Sequence, residues 1–193
     1  SMEARIRTWP DITSEQPKLL GYAGFKVGCI QIVSIDDREK TPNHGKQLVS
    51  LGTVVATPPI SVIGIRGYYE DVNGSHALFD VYSSDMPKEV SRLFTLKPKE
   101  GTLEKAEKML NRTSELFAVV AVLPNNAGVA QKKPYVFEVA VKGGDLKKQF
   151  DFLKGLFGKQ VKVEEVFELG SSVDVASITK GKGWEGPITR WGV

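Results

Sequence analysis

The sequence predicts a mostly β protein, an antiparallel sheet or barrel interrupted by an α/β stretch. Three observations carry that expectation. Short runs rich in β-branched and aromatic residues, separated by Gly and Pro, fill residues 19–82. From Met86 the texture changes to helix-period patterns and two longer apolar runs, and after Val166 the short strand pattern returns. At 193 residues, with 41% apolar and 25% charged content, the chain has the size and composition of a globular protein of one large or two modest domains.

Residues 1–18 carry Arg5, Arg7, Lys18, Trp9-Pro10 and Pro17 in a stretch too irregular for a core element. An arm that lies across a surface or is anchored by Trp9 is expected. Strands are predicted over residues 19–25, 29–35, 48–57, 60–69 and 76–82. The glycines at 21, 24 and 28 suit a sharply bent strand whose backbone is closely approached. Residues 36–46 are polar, and Pro42-Asn43-His44-Gly45 reads as a loop. Pro58-Pro59 fixes a turn, and Asn73-Gly74 marks a hairpin.

Past Met86, residues 87–94 predict a short helix and residues 103–110 another, with Thr102 as N-cap and Leu103, Ala106 and Leu110 on one face. Residues 116–123 form a nearly continuous apolar strand. Residues 133–141 alternate Val136, Glu138 and Ala140 against Phe137, Val139 and Val141. The clearest helix is 145–157, where Leu146, Phe150, Leu153 and Phe157 recur at four, three and four, Asp145 can cap and Gly158 closes. The organisation read from this is an arm (1–18), a first β part (19–82), an α/β insert (83–165), a return strand (166–180) and a Gly-rich tail (181–193).

Composition excludes several function classes. Cys29 is the only cysteine, so neither an internal disulfide nor a Cys-rich metal site can form, and a buried small hydrophobe is its expected role. No apolar stretch approaches the roughly 20 residues of a membrane-spanning helix, so no membrane partner is expected and an intracellular location is the default. His44 and His76 lack a second ligand at metal spacing, and Asp36-Asp37 beside Arg38 and Lys40 reads as a solvated charged turn. Glu164, Glu165 and Glu168 resemble the outer face of a short helix. No nucleophile elbow is present, and the Gly21–Gly28 glycines lack the Gly-Lys-Ser/Thr ending of a phosphate loop. The chain therefore reads as a non-enzyme with no cofactor.

Basic residues in extended segments are the better lead. The net charge of +3 with a pI near 8.9 is basic without being extreme, so distribution matters more than the mean. Arg5 and Arg7 lie in the arm, Lys40, His44 and Lys46 in the polar loop, Lys132 and Lys133 in the loop between the insert strands, and Lys180, Lys182 and Arg190 in the tail. The tail, KGKGWEGPITRWGV, adds Trp184 and Trp191 as flat, partly polar surfaces among glycines that permit close approach. Phosphate contact and base stacking by extended segments is how folded RNA is recognised.

The tail also carries a resemblance. Residues 177–193, SITKGKGWEGPITRWGV, closely resemble the signature segment of the universal large-subunit ribosomal protein L3 family in its archaeal and eukaryotic form. The run KLLGYAGFKVG (18–28) resembles that family's opening strand, and IDDR (35–38) with Pro42 its first loop. TPPI (57–60) and IGIRGY (63–68) resemble the next strands, Lys132-Lys133-Pro134 and Gly143-Gly144-Asp145 the insert, and VFELG (166–170) with Val173-Asp174-Val175 the approach to the signature.

The resemblance implies a structural rRNA-binding protein, cytoplasmic and on the ribosome, with large-subunit rRNA and neighbouring ribosomal proteins as partners. Its implied fold is a β-barrel of the translation-protein type, incomplete here, interrupted by the α/β insert. Lys180, Lys182, Trp184 and Arg190 would approach rRNA at the base of the family's long extension, with Lys26 of the opening strand and Trp191 in the same set. Members continue beyond this tail, so an open sheet edge is expected, to be paired by the missing C-terminal part or by another chain supplying the missing barrel strands. The family's basic arm is reduced here, and Cys29 stands where Met is common.

Overall fold

The protein is described by a computed structural model covering residue 4, residues 6–93 and residues 102–192. In chain order the elements are β1 (Lys18–Leu19), β2 (Phe25–Ile35), β3 (Gln47–Ala56), β4 (Ile60–Asp71), β5 (Gly74–Tyr82), α1 (Lys88–Ser91), α2 (Thr102–Met109), β6 (Glu115–Val122), β7 (Tyr135–Lys142), α3 (Leu146–Leu156), β8 (Gln160–Val161) and α4 (Pro187–Trp191). A six-stranded antiparallel sheet runs β1-β7-β6-β4-β5, with β8 paired to the start of β4. The strands β2 and β3 form a separate two-stranded ribbon, and neither sheet closes into a barrel.

Strand β4 is the centre of the molecule. It pairs with β5, β6 and β8, and Ile60, Val62, Ile63 and Ile65 are fully buried. Both of its faces are covered, which is why it reads as an apolar run instead of an alternation. Val62 and Ile63 face opposite sides as neighbours in a strand do, and the register shift between Val62 and Gly64 lets Val62 and Ile65, three residues apart, share one cluster. Val62, Ile65, Leu116, Val120, Val139 and Val141 pack with Phe150 and Leu153 of α3 and Ala106 of α2. Ile63, Val119 and Ala121 form a second cluster with Val90 of α1. A Cβ on Gly64 would lie 2.8 Å from the Val81 carbonyl and 2.9 Å from the Tyr82 ring, so close strand approach requires glycine there.

Several expectations meet differences. The sheet takes strands from both sides of residue 83: β4 and β6 pair from Ser61↔Ala121 to Tyr68↔Glu115. The strand expected over 19–25 shrinks to Lys18–Leu19, which pairs with β7, and residues 20–24 lie between it and β2 outside any strand. Thr102 is the first residue of α2 itself, and Phe94 of the first predicted helix lies outside the described residues. Asp145 occupies the N-cap of α3 without a side-chain cap bond. Residues 166–180 hold no strand, since among the described residues none lies alongside to complete a backbone ladder. Cys29 is exposed, as are Val27, Val33, Ile35, Val49 and Leu51 of the ribbon, whose faces no described segment covers.

Candidate nucleic-acid interface

The ribbon ends in a closely hydrogen-bonded loop. Its ladder extends past Ile35↔Gln47, with the Asp36 N–H donating to the Lys46 carbonyl at 3.1 Å and the Gly45 N–H to the Asp36 carbonyl at 2.8 Å. The Asp36 carboxylate, expected to be solvated, is instead buried within the loop. It accepts from Arg38 Nε at 2.8 Å, Arg38 Nη2 at 2.9 Å and the Arg38 backbone N–H at 3.1 Å, with Thr41 Oγ1 at 3.4 Å. The guanidinium hydrogen bonds hold the Asp36 carboxyl down at about 2, and the same bonds raise Arg38. Lys40 takes a left-handed φ of 63°, and His44 Nδ1 lies 3.2 Å from the Arg38 carbonyl. Lys40, His44 and Lys46 are all exposed on this framework.

The other basic residues fall on three further segments. Phe25 and Tyr135 meet at a ring separation of 6.2 Å, so the ribbon base adjoins the start of β7. That brings exposed Lys26 and the loop bearing exposed Lys132 and Lys133 to within three residues of one aromatic contact. Arg5 lies outside the described residues. Arg7 is exposed on an arm held by Trp9, which packs edge-on to Phe117 at 6.4 Å, and a Cβ on Gly21 would lie 3.0 Å from its ring. The arm is fixed further along by Lys142, 3.3 Å from Asp11 and 2.6 Å from Glu115, and by the Gly144 N–H on the Ser14 carbonyl at 2.9 Å. The hydrogen bond that Lys142 donates to Glu115, then the one to Asp11, raises its ammonium above the ordinary range.

In the tail, Lys180, Lys182 and Arg190 are exposed, Trp184 is fully exposed and Trp191 is 74% exposed. Among the described residues, hydrogen bonds after Ser171 are confined to α4 and its ends, and the Arg190 guanidinium lies 5.9 Å from the Trp191 ring.

A polar network lies on the sheet face. Arg66 on β4 donates to Asp80 on β5 through Nε at 2.5 Å and Nη2 at 2.6 Å, and through Nη1 to Glu138 on β7. Tyr68 donates to the other Glu138 oxygen at 2.7 Å. The network borders a cavity of about 1090 Å³ beneath the arm, also lined by Ile6, Trp9 and Phe117. Among the described residues no group of three or more His, Cys, Asp or Glu is arranged to hold a metal ion.

This fold and its exposed basic segments can be set beside known proteins. The sequence profile of the family described as ribosomal protein L3 matches residues 1–193. The chain belongs to the ribosomal protein L3 family. It is 36% identical to the large ribosomal subunit protein uL3 of Pyrobaculum arsenaticum, covering 98% of this chain and 58% of that protein. It is 35% identical to uL3 of Methanococcus vannielii over 98% of this chain and 57% of the relative, and 36% identical to uL3 of Archaeoglobus fulgidus over 100% and 58%. The chain therefore spans less than two thirds of the length of these L3 relatives.

Proposed function

We propose that this chain is a structural, non-catalytic constituent of the large ribosomal subunit, working on the cytoplasmic ribosome by binding rRNA. The observation that carries the reading is the tail of this L3 family member: Lys180, Lys182 and Arg190 flank Trp184 and Trp191, and the fold covers none of them. Exposed cations meet phosphates, and exposed indoles offer stacking surfaces to unpaired bases. Lys26, Lys40, His44, Lys46, Lys132 and Lys133, with Arg5 and Arg7 of the arm, extend the contact across the molecule. The test is binding of the 193-residue chain to deproteinised large-subunit rRNA across a salt titration. Affinity falling steeply with salt supports the reading; no binding at low salt contradicts it.

A second part concerns the ribbon. Its apolar residues are exposed along both strands, as are Val173, Val175 and Ile178 in the extended stretch that follows the sheet. These are surfaces to be covered by protein. The ribbon and residues 166–180 are accordingly read as portions of a translation-protein-type barrel, completed by the sequence that the longer L3 relatives carry outside the matched span, with the helices and strands of 83–165 as the insert. This favours a partner-binding role as the alternative reading. Light scattering after size exclusion separates the two: a monomer that binds rRNA supports the first, and a self-associating chain without RNA affinity supports the second.

A further inference from the structure

We infer that Asp36 and Arg38 are positioning residues which hold the ribbon-tip loop in its RNA-contacting shape, so that the loop binds by preorganisation and not by net charge. The inference rests on the reading that Lys40, His44 and Lys46 meet rRNA.

Charge alone gives this loop nothing. Over residues 36–46, Arg38, Lys40 and Lys46 are balanced by Asp36, Asp37 and Glu39, three against three, so the segment is neutral with His uncharged. Long-range attraction to a polyanion therefore cannot select it. The geometry separates the charges instead. Asp36 is 5% exposed, and two of the three Arg38 guanidinium nitrogens are committed to it. A bidentate pair of this kind fixes orientation as well as charge. The Arg38 backbone N–H donates to the same carboxylate, and the single Thr41 hydroxyl proton is shared between the Arg38 carbonyl at 3.0 Å and that carboxylate at 3.4 Å. From that scaffold the turn passes through Lys40 in the left-handed region, a conformation costly for a side-chain-bearing residue and maintained by its surroundings. The Arg38 carbonyl can only accept, so His44 Nδ1 carries the proton in that contact, which fixes the orientation of the exposed ring. An exposed, oriented imidazole on the same loop as two exposed ammonium groups suits a ribose 2′-hydroxyl, which can donate or accept, next to phosphates.

The two mechanisms predict opposite signs for one substitution. Asp36→Asn removes a negative charge, so a loop working by net charge would bind RNA more tightly. Preorganisation predicts a roughly tenfold loss of affinity for deproteinised large-subunit rRNA, because the loop must then be ordered on binding. Arg38→Lys keeps the charge but not the fork, and is expected to lose a similar factor. In RNA-free protein both should accelerate amide exchange at Gly45 and Lys46 while leaving the sheet amides protected. Lys40→Gly, which suits the positive φ, removes a contact charge with the loop intact. Asp36→Asn binding as tightly as the parent or tighter overturns the inference. If Lys40→Gly and Lys46→Ala also leave affinity unchanged, the RNA-contact reading of the loop falls; if they weaken binding and Asp36→Asn does not, only the positioning role falls.

Discussion

Replacing Arg66 by Met is expected to destabilise the protein by about 2–3 kcal/mol, between the value of an exposed ion pair and that of a broken buried one. The structure places Arg66 between those limits: its side chain is 24% exposed, with Asp80 at 33% and Glu138 at 32%. Four guanidinium hydrogen bonds would vanish at once, two to Asp80, one to the Tyr82 hydroxyl and one to Glu138, tying β4 to β5 on one side and across β6 to β7 on the other. Met retains much of the aliphatic stem, so packing loss is small and the penalty comes from two carboxylates left facing each other. Urea unfolding provides the assay. With a slope of about 2 kcal/mol per molar, the midpoint should fall by roughly 1–1.5 M with the slope unchanged. Adding Asp80→Asn to the Arg66→Met variant should recover part of the loss, since one of the facing carboxylates becomes neutral. An Arg66→Met variant within about 0.5 kcal/mol of the parent, the spread of ordinary surface changes, would refute the reasoning.

The remaining predictions concern the loop and the arm. Asp36 has a depressed carboxyl pKa of about 2, so its contribution to loop order is complete above the unfolded value near 3.8 and disappears as pH falls through 2. Exchange protection at Gly45, corrected for intrinsic rates, should therefore stay level from neutral pH down to about 5 and fall below about 4, whereas an even decline from neutral pH would contradict the assignment. Gly143 has a φ of 106°, and a Cβ there would lie 2.3 Å from the Gln16 carbonyl, so Gly143→Ala should detach the arm. Acrylamide quenching of tryptophan should rise as Trp9 leaves Phe117, while unchanged quenching would show that the Trp9 contact does not depend on this anchor.

Local pattern makes much of the fold legible. Leu146, Phe150 and Leu153 announce the α3 face because helical period survives in a stretch buried on one side, and the β4–β5 hairpin follows from Asn73-Gly74. Pairing partners are less legible. Nothing in the run of 60–71 says that its neighbour is 115–122, across a stretch that reads as a separate insert, because partner choice depends on long-range packing. Residues 166–180 show the converse: an alternating sequence makes a strand only where another backbone completes the ladder.

The candidate interface is half visible in the sequence. Basic and aromatic residues can be read directly, but Asp36 reads as a solvated acid. Only the folded loop reveals that Arg38 and Thr41 close around it, although an Asp two residues before an Arg at a strand end is a signal to look for. Cys29 reads as buried and is exposed, because strand propensity does not reveal whether a ribbon's faces are covered.

The central claim, that the exposed tail meets rRNA phosphates, is tested most directly by the salt dependence of rRNA binding in a Lys180→Ala/Lys182→Ala/Arg190→Ala variant. Each lost phosphate contact removes about 0.7–0.9 from the slope of log affinity against log salt, so three should flatten it by roughly 2–3 and lower the affinity. An affinity and slope identical to the parent's would contradict the account.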